Sequence, residues 1–274
     1  MRRALTTWIW SLGVVARSYR VVIALAAFMA LWGFSAYQWL GLLESSLLML
    51  ILALVWAIVQ VLVTIMVVAG IVSAAGTAAA ADITRLSLRS LGKIKARDFA
   101  NALAVFILAA GLAWICGTFF GWVNEHALAV ASFLAFHSQR AVSRVPVEEI
   151  FMVVEGLWWV LLSGVILDLW LAVHGGGWRA MSSRSRSLLV RSIFGTGFVT
   201  ALLSVAVFGG ISYVLVTSHP TAPPGFWDYA QMALRFSLTL TLISAGVLFW
   251  SLSLADLQLP EPELSQEPPL AAED

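Results

Sequence analysis

Charge is scarce in this chain of 274 residues: 11% are charged against 61% hydrophobic, with a mean hydropathy of +0.91. Soluble domains carry about 25% charge, so a water-soluble globule is excluded. Cysteine is nearly missing. The single Cys116 lies in an apolar run, which excludes an intrachain disulfide and a cysteine metal cage, and it reads as a small buried helix residue. Lysine is rare as well, two against fourteen Arg, a cation choice we attribute to base composition rather than to function. No Walker A loop, GxSxG elbow, HExxH pair or run of carboxylates occurs. No soluble segment is long enough to hold a catalytic domain.

What the chain has instead is long apolar runs. Six reach the ~20 residues needed to cross a hydrocarbon core: 21–43, 46–72, 100–122, 150–173, 195–217 and 232–254. Four hold no charge; the fourth contains Glu155 and Asp168, and the sixth Arg235. Cation placement orients the spans. Thirteen of the sixteen Lys and Arg fall before span one, between spans two and three, or between spans four and five. Only Arg140, Arg144 and Arg235 fall on or near the other side. Both termini are therefore expected in the cytoplasm, as an even number of spans also requires. No cleavable leader is expected, because Arg17 and Arg20 interrupt the apolar stretch that should follow Arg2 and Arg3.

The three basic segments share a pattern. In residues 1–20, Leu5, Trp8, Ile9, Leu12, Val15 and Ala16 recur at helical spacing, with Arg17 and Arg20 following. In the second, Ile83, Leu86, Leu91 and Ile94 run beside Arg85, Arg89 and Lys93, with Lys95 and Arg97 close behind. The third carries Arg184, Arg186 and Arg191 in WRAMSSRSRSLLVRS. Each is expected to form a short amphipathic helix in the cytoplasmic interface, its cations on anionic head groups, followed by a hairpin of two spans. The unit thus recurs loosely three times. On the outer side, residues 125–142 are expected to form another interfacial helix, while 218–230 is too rich in Pro and Gly for one. The apolar run of span two continues to Ala81, ~54 Å at the helical rise, so it must tilt or project beyond the bilayer. The acidic, Pro-rich segment 257–274 is expected to be disordered in isolation.

Few residues point to chemistry. On one continuous helix Glu155 and Asp168 stand ~20 Å apart along the axis and ~140° apart around it, so they cannot be a catalytic pair. Glu155 and Arg235 lie at similar depth near the outer ends of spans four and six. An interhelical ion pair would relieve the cost of charge in lipid, on the order of 2.5–3.5 kcal/mol each. Asp168 lies near the cytoplasmic end, within reach of Arg179 or another loop cation. His126 and His137 are ~16 Å apart on a helix, too far to share a metal ion. Gly70, Ala74 and Ala78, Gly76 and Ala80, and Gly195, Gly197, Gly209 and Gly210 suit close helix packing. Ser237, Thr241 and Ser244, with Thr239, Ser251 and Ser253, make span six rich in hydroxyls. They are expected to bond neighbouring helices or, as the alternative, to line a polar path.

These readings describe an all-α integral membrane protein: an interfacial helix at 1–20, a six-span bundle at 21–256 with both ends inside, and the tail at 257–274. A bacterial-type inner membrane is the expected location. No enzymatic activity, cofactor, metal or nucleic acid is expected. The expected partners are anionic lipid and either other membrane subunits or further copies of the chain. The plan of a basic interfacial helix, six spans and a basic segment between spans two and three resembles the permease subunits of some ABC exporters. Those often carry their extra outer helices between spans five and six; here the long outer insert follows span three. The leading expectation is a non-enzymatic accessory, scaffold or assembly subunit. A transporter or permease subunit energised by a partner is the alternative.

Overall fold

The structure, a computed structural model, describes residues 2–41, 46–138, 144–218 and 226–259. It is 92% helical with no strand among the described residues. Ten α-helices follow in order: α1 Arg2–Arg17, α2 Tyr19–Leu40, α3 Leu47–Ala80, α4 Leu88–Leu91, α5 Ala96–Glu125, α6 Ala127–Ser138, α7 Arg144–Phe194, α8 Thr196–Ser204, α9 Gly210–Thr217 and α10 Phe226–Gln258. A π-helical turn, Val205–Gly209, joins α8 to α9 into one span. Six helical segments are long and apolar enough to cross a membrane: Tyr19–Leu40, Leu47–Ala80, Ala96–Glu125, Val147–Arg179, Thr196–Thr217 and Phe226–Gln258. The chain is a multi-pass membrane protein.

Local chemistry sets the helix ends. Ser46 caps α3 by accepting from the Met49 amide at 3.3 Å. Beyond Ala80, Asp82 takes a left-handed φ of 45°, which a helix cannot continue through. In the first turn of α5, Asp98 accepts from the Lys95 amide at 3.3 Å and places its charge at the favourable end of the helix dipole. Gly177 interrupts α7 with φ 72° and ψ 178°, a conformation open essentially to Gly alone. The chain there turns from the fourth span into a basic helical segment, 178–194.

The packed core occupies one end of the bundle. Its buried residues include Val14 of α1, Val21 and Leu25 of α2, the last turns of α3 from Ile65 to Ala79, Ala102 and Val105 of α5, Leu171 and Val173 of α7, and Leu248 to Ala255 of α10. This is also where the three basic segments lie. The last turns of α3, beyond the length that a bilayer requires, are thus covered by protein. At the other end the spans present large apolar side chains outward, among them Leu47 and Leu54 of α3, Trp114 and Trp122 of α5, and Val153 of α7. Of the six spans α10 is the central one. It packs against α1, α2, α3, α7, α8 and α9, and 56% of its most apolar window is buried against 11% for α3, α5 and α7.

Two expectations change on this scaffold, and the facing of α1 becomes explicit. The inward face of α1 is Ala4, Thr7, Ser11, Val14, Val15 and Ser18, while Leu5, Ile9 and Leu12 stay exposed. In a bilayer an apolar stripe gains nothing from leaving lipid, whereas small and hydroxylated residues gain close contact and hydrogen bonds. The second basic segment forms only the single turn α4, because the Leu86 amide donates to Ser18 Oγ at 2.8 Å and buries Leu86 against the α1–α2 corner. Finally, α10 runs to Gln258, so residues 257 and 258 belong to the bundle and not to the acidic tail. The remaining tail, 260–274, lies outside the described residues, as do parts of the outer segment 125–142 and most of the loop 218–230.

Two glycines mark close approaches between elements far apart in the chain. A Cβ at Gly70 would stand 2.4 Å from the Leu91 carbonyl oxygen, so the α4 turn lies directly on α3. On α10 a Cβ at Gly246 would stand 2.8 Å from Cβ of Phe208 in the π-helical turn. Ser204 Oγ donates to the Gly246 carbonyl at 3.0 Å just below. The π turn widens the fifth span and thereby carries Phe208 over Gly246 and onto Phe249, with ring centroids 5.7 Å apart. Gly209 and Gly210, expected at a close helix contact, are not its closest point.

Candidate functional site at the basic end of the bundle

Asp168 is a densely bonded polar group, and it is only 1% exposed. It lies on the fourth span, about two and a half turns before Gly177. Arg191 Nη2 donates to its Oδ1 at 2.5 Å and Ser192 Oγ to its Oδ2 at 2.5 Å. Gln258 Nε2 donates to Oδ1 and to the Asp168 carbonyl, each at 2.8 Å. Arg191 Nη1 donates onward to the Leu257 carbonyl at 2.8 Å. The carboxylate therefore joins span four, the returning basic segment and the end of α10. A buried charge is tolerable only when paired and hydrogen-bonded, and here both oxygens are engaged.

Around it, α1 is strapped to the end of α10. Arg3 Nη2 donates to the Leu259 carbonyl at 2.5 Å, Thr7 Oγ1 to Asp256 Oδ2 at 2.6 Å and Ser253 Oγ to Ser11 Oγ at 3.0 Å. Trp8 Nε1 donates to Thr200 Oγ1 of α8 at 2.9 Å. On the other flank, His174 Nδ1 stands 3.6 Å from Asp98 Oδ1, and Trp178 Nε1 donates to Asn101 Oδ1 at 3.1 Å, both tying α7 to α5. Between α3, α7 and α10 these contacts frame a cavity of about 940 Å³, lined in part by Gly76, Leu171, His174, Ser187, Arg191 and Gln258.

The candidates singled out in the sequence fall differently from expectation. Glu155 and Arg235 do not pair. Glu155 accepts from Asn124 Nδ2 at 3.4 Å and Trp159 Nε1 at 3.2 Å, whereas Arg235 donates to the Leu215 carbonyl at 2.8 Å and Ser218 Oγ at 2.7 Å. Each charge is satisfied within its own hairpin, α5–α7 or α9–α10, before it can reach the other. A cycle of Glu155→Gln and Arg235→Gln is accordingly expected to be additive, with a coupling energy below about 0.5 kcal/mol. Unfolding titrations of the two single variants and the double variant measure it, and a coupling above about 1 kcal/mol would restore the pair.

The hydroxyls of span six bond mainly within their own helix rather than to its neighbours. Ser237 donates to the Ala233 carbonyl, Thr241 to Ser237 and Ser244 to Leu240, each at 2.8 Å and each four residues back in the same helix. Only Ser244, 3.6 Å from Met29 Sδ, and Ser253 also reach another helix. Of the basic residues, Arg17, Arg20, Arg85, Arg89, Lys93, Lys95, Arg97 and Arg186 are exposed at the basic end. The side chain of Arg184 is outside the described set. Arg191 is the exception: it turns inward to Asp168, not outward to lipid, and Asp168 therefore pairs with Arg191 and not with Arg179. His126 and His137 each hold the carbonyl four residues back through Nδ1, at 2.8 and 3.0 Å.

A signal for the Asp168 cluster was present. Arg191 stands four residues before span five and Asp168 five residues before the end of span four, so a hairpin return brings them to one level. Gln258 carried no such signal, since it lies in what reads as the start of a polar tail. No protein family, curated protein or solved structure matches the chain, so the reading of its site rests on its own geometry.

Proposed function

We propose that this is a non-enzymatic accessory or assembly subunit of a larger membrane complex, in a bacterial-type inner membrane with its basic end in the cytoplasm. The observation that carries the reading is the division of the bundle into a braced end and an open one. At the basic end every span is tied to α10 or to a neighbour already tied to it. At the other end α3, α5 and α7 extend apolar faces that none of the described residues covers, including Trp114 at 75% exposure and, on α6, Phe136 at 81%. Helices held rigidly at one end with free apolar flanks suit docking against the spans of other subunits, in contact with lipid where no subunit sits. The concentration of exposed cations at one end supports the orientation.

A tagged chain purified from native membranes in mild detergent is expected to bring down a stoichiometric membrane partner. Substituting Trp114 and Phe119 by Ala is expected to reduce that recovery at least several-fold without unfolding the chain. Recovery of the chain alone, together with unchanged membrane complexes on its deletion, would sink the reading. The second reading, a permease subunit energised by a partner, is favoured by the cavity between α3, α7 and α10. An ATPase in the same purification would promote it.

A further inference from the structure

We propose that the acidic segment 260–274 docks back on the basic end of its own bundle, across the mouth of the cavity between α3, α7 and α10. Where the segment starts is the first observation. Helix α10 ends at Gln258, and Gln258 and Leu259 both line the cavity. Arg3 Nη2 holds the Leu259 carbonyl, so the chain is anchored up to the residue before Pro260.

Charge complementarity is the second. The segment holds Glu261, Glu263, Glu267, Glu273 and Asp274, a third of the chain's fifteen carboxylates, and no cation. The mouth of the cavity is formed by the exposed residues Ala80, Ala81, Gly175, Gly176 and Ser187. Arg97 reaches its edge, with Nη2 3.0 Å from where a Cβ would stand on Gly177. Arg179 follows two residues beyond that glycine, and Arg186 adjoins Ser187 in the chain. All three arginines are exposed, and none of them bonds to a described residue. The described carboxylates at this end are mostly taken: Asp98 faces His174, Asp168 holds Arg191 and Asp256 accepts from Thr7, which leaves the exposed Asp82. Exposed ion pairs are weak singly. Tethering raises the effective concentration to the order of millimolar, so several together hold the segment in place. Prolines at 260, 262, 268 and 269 favour the extended polyproline form, which has less freedom to lose on docking. At ~3.1 Å per residue the segment reaches ~45 Å, ample to cross two helices ~10 Å wide. Leu264, between Glu263 and Glu267, would meet the apolar rim of Leu188 and Leu259.

The test uses the full chain in neutral detergent, carrying Leu264→p-benzoylphenylalanine as a photo-cross-linker, with the adducts located by mass spectrometry. Adducts within one chain to residues 80–97 or 175–191 are expected. Their yield should fall several-fold at ~1 M salt, where the screening length shrinks to about 3 Å. Combining Arg97→Gln, Arg179→Gln and Arg186→Gln is expected to lower the yield several-fold as well. Glu261→Gln, Glu263→Gln and Glu267→Gln together leave the described bundle unaltered, and they decide the matter if the arginine variant does not fold. In phosphatidylglycerol bilayers the adducts persist if the segment is the occupant. Their loss there would assign the arginines to lipid head groups and overturn the proposal. Adducts only to detergent, to a second copy of the chain or to other parts of the bundle overturn it too, as does a yield unchanged by salt or in the folded variants.

Discussion

Asp168→Asn is expected to lower folding stability by about 3 kcal/mol, the lower end of the 3–5 kcal/mol typical of breaking a buried ion pair from one side. The amide keeps the volume of the carboxylate, so no cavity forms and the loss is electrostatic. Three donors converge on the acid: Arg191, Ser192 and Gln258. The amide would turn an NH₂ toward at least one of them and leave the guanidinium without a counter-charge. Arg191 retains 22% side-chain exposure, and solvent there relieves part of the penalty, which is why the lower end is expected. Adding Arg191→Met to Asp168→Asn should recover more than half of the loss, because the uncompensated charge goes with it. Denaturing-detergent titration followed by helicity measures all three chains. A loss below about 1 kcal/mol for Asp168→Asn would show that the cluster does not brace the bundle.

Gly70→Ala is the second large effect, at about 2–3 kcal/mol of destabilisation, near the top of the range for overpacking. The added methyl would stand 2.4 Å from the Leu91 carbonyl oxygen. That atom is backbone and cannot be cleared by a rotamer change. To make room, the α4 turn must lift from α3, and with it the segment pinned where Leu86 donates to Ser18. Gly111→Ala is the control. Its Cβ would meet nothing within 4 Å, so Ala there should stabilise α5 by about 0.5–1 kcal/mol through helix propensity alone. Equal behaviour of the two variants would remove the close approach of α4 to α3 from the account.

The span pattern could be read in advance because it depends on composition over ~20 residues, a property that tertiary context does not alter. The bounds of α3 and the outer helix α6 follow the same logic. Facing could not be read in this way. In α1 the apolar stripe of Leu5, Ile9 and Leu12 turns outward and Thr7 and Ser11 turn in, a reversal of the rule that holds in water. Polar pairing was equally hidden. Glu155 and Arg235 looked matched by depth, yet Asn124 and Ser218, nearer along their own hairpins, reach them first.

By itself, then, the sequence determined that the chain has six spans long and apolar enough to cross a membrane, gathers its cations at one end and carries no Walker A, GxSxG or HExxH motif. Hydropathy and charge act through the bilayer, a solvent that is the same for every chain. Only the tertiary structure decided that α10 is the central helix, that Asp168 takes Arg191 and Gln258 as partners, and that a cavity opens beside them. Those outcomes depend on angstrom-scale approach between helices far apart in the chain, where a glycine at 70 or 246 and one extra residue in the turn at 205–209 set which side chains meet.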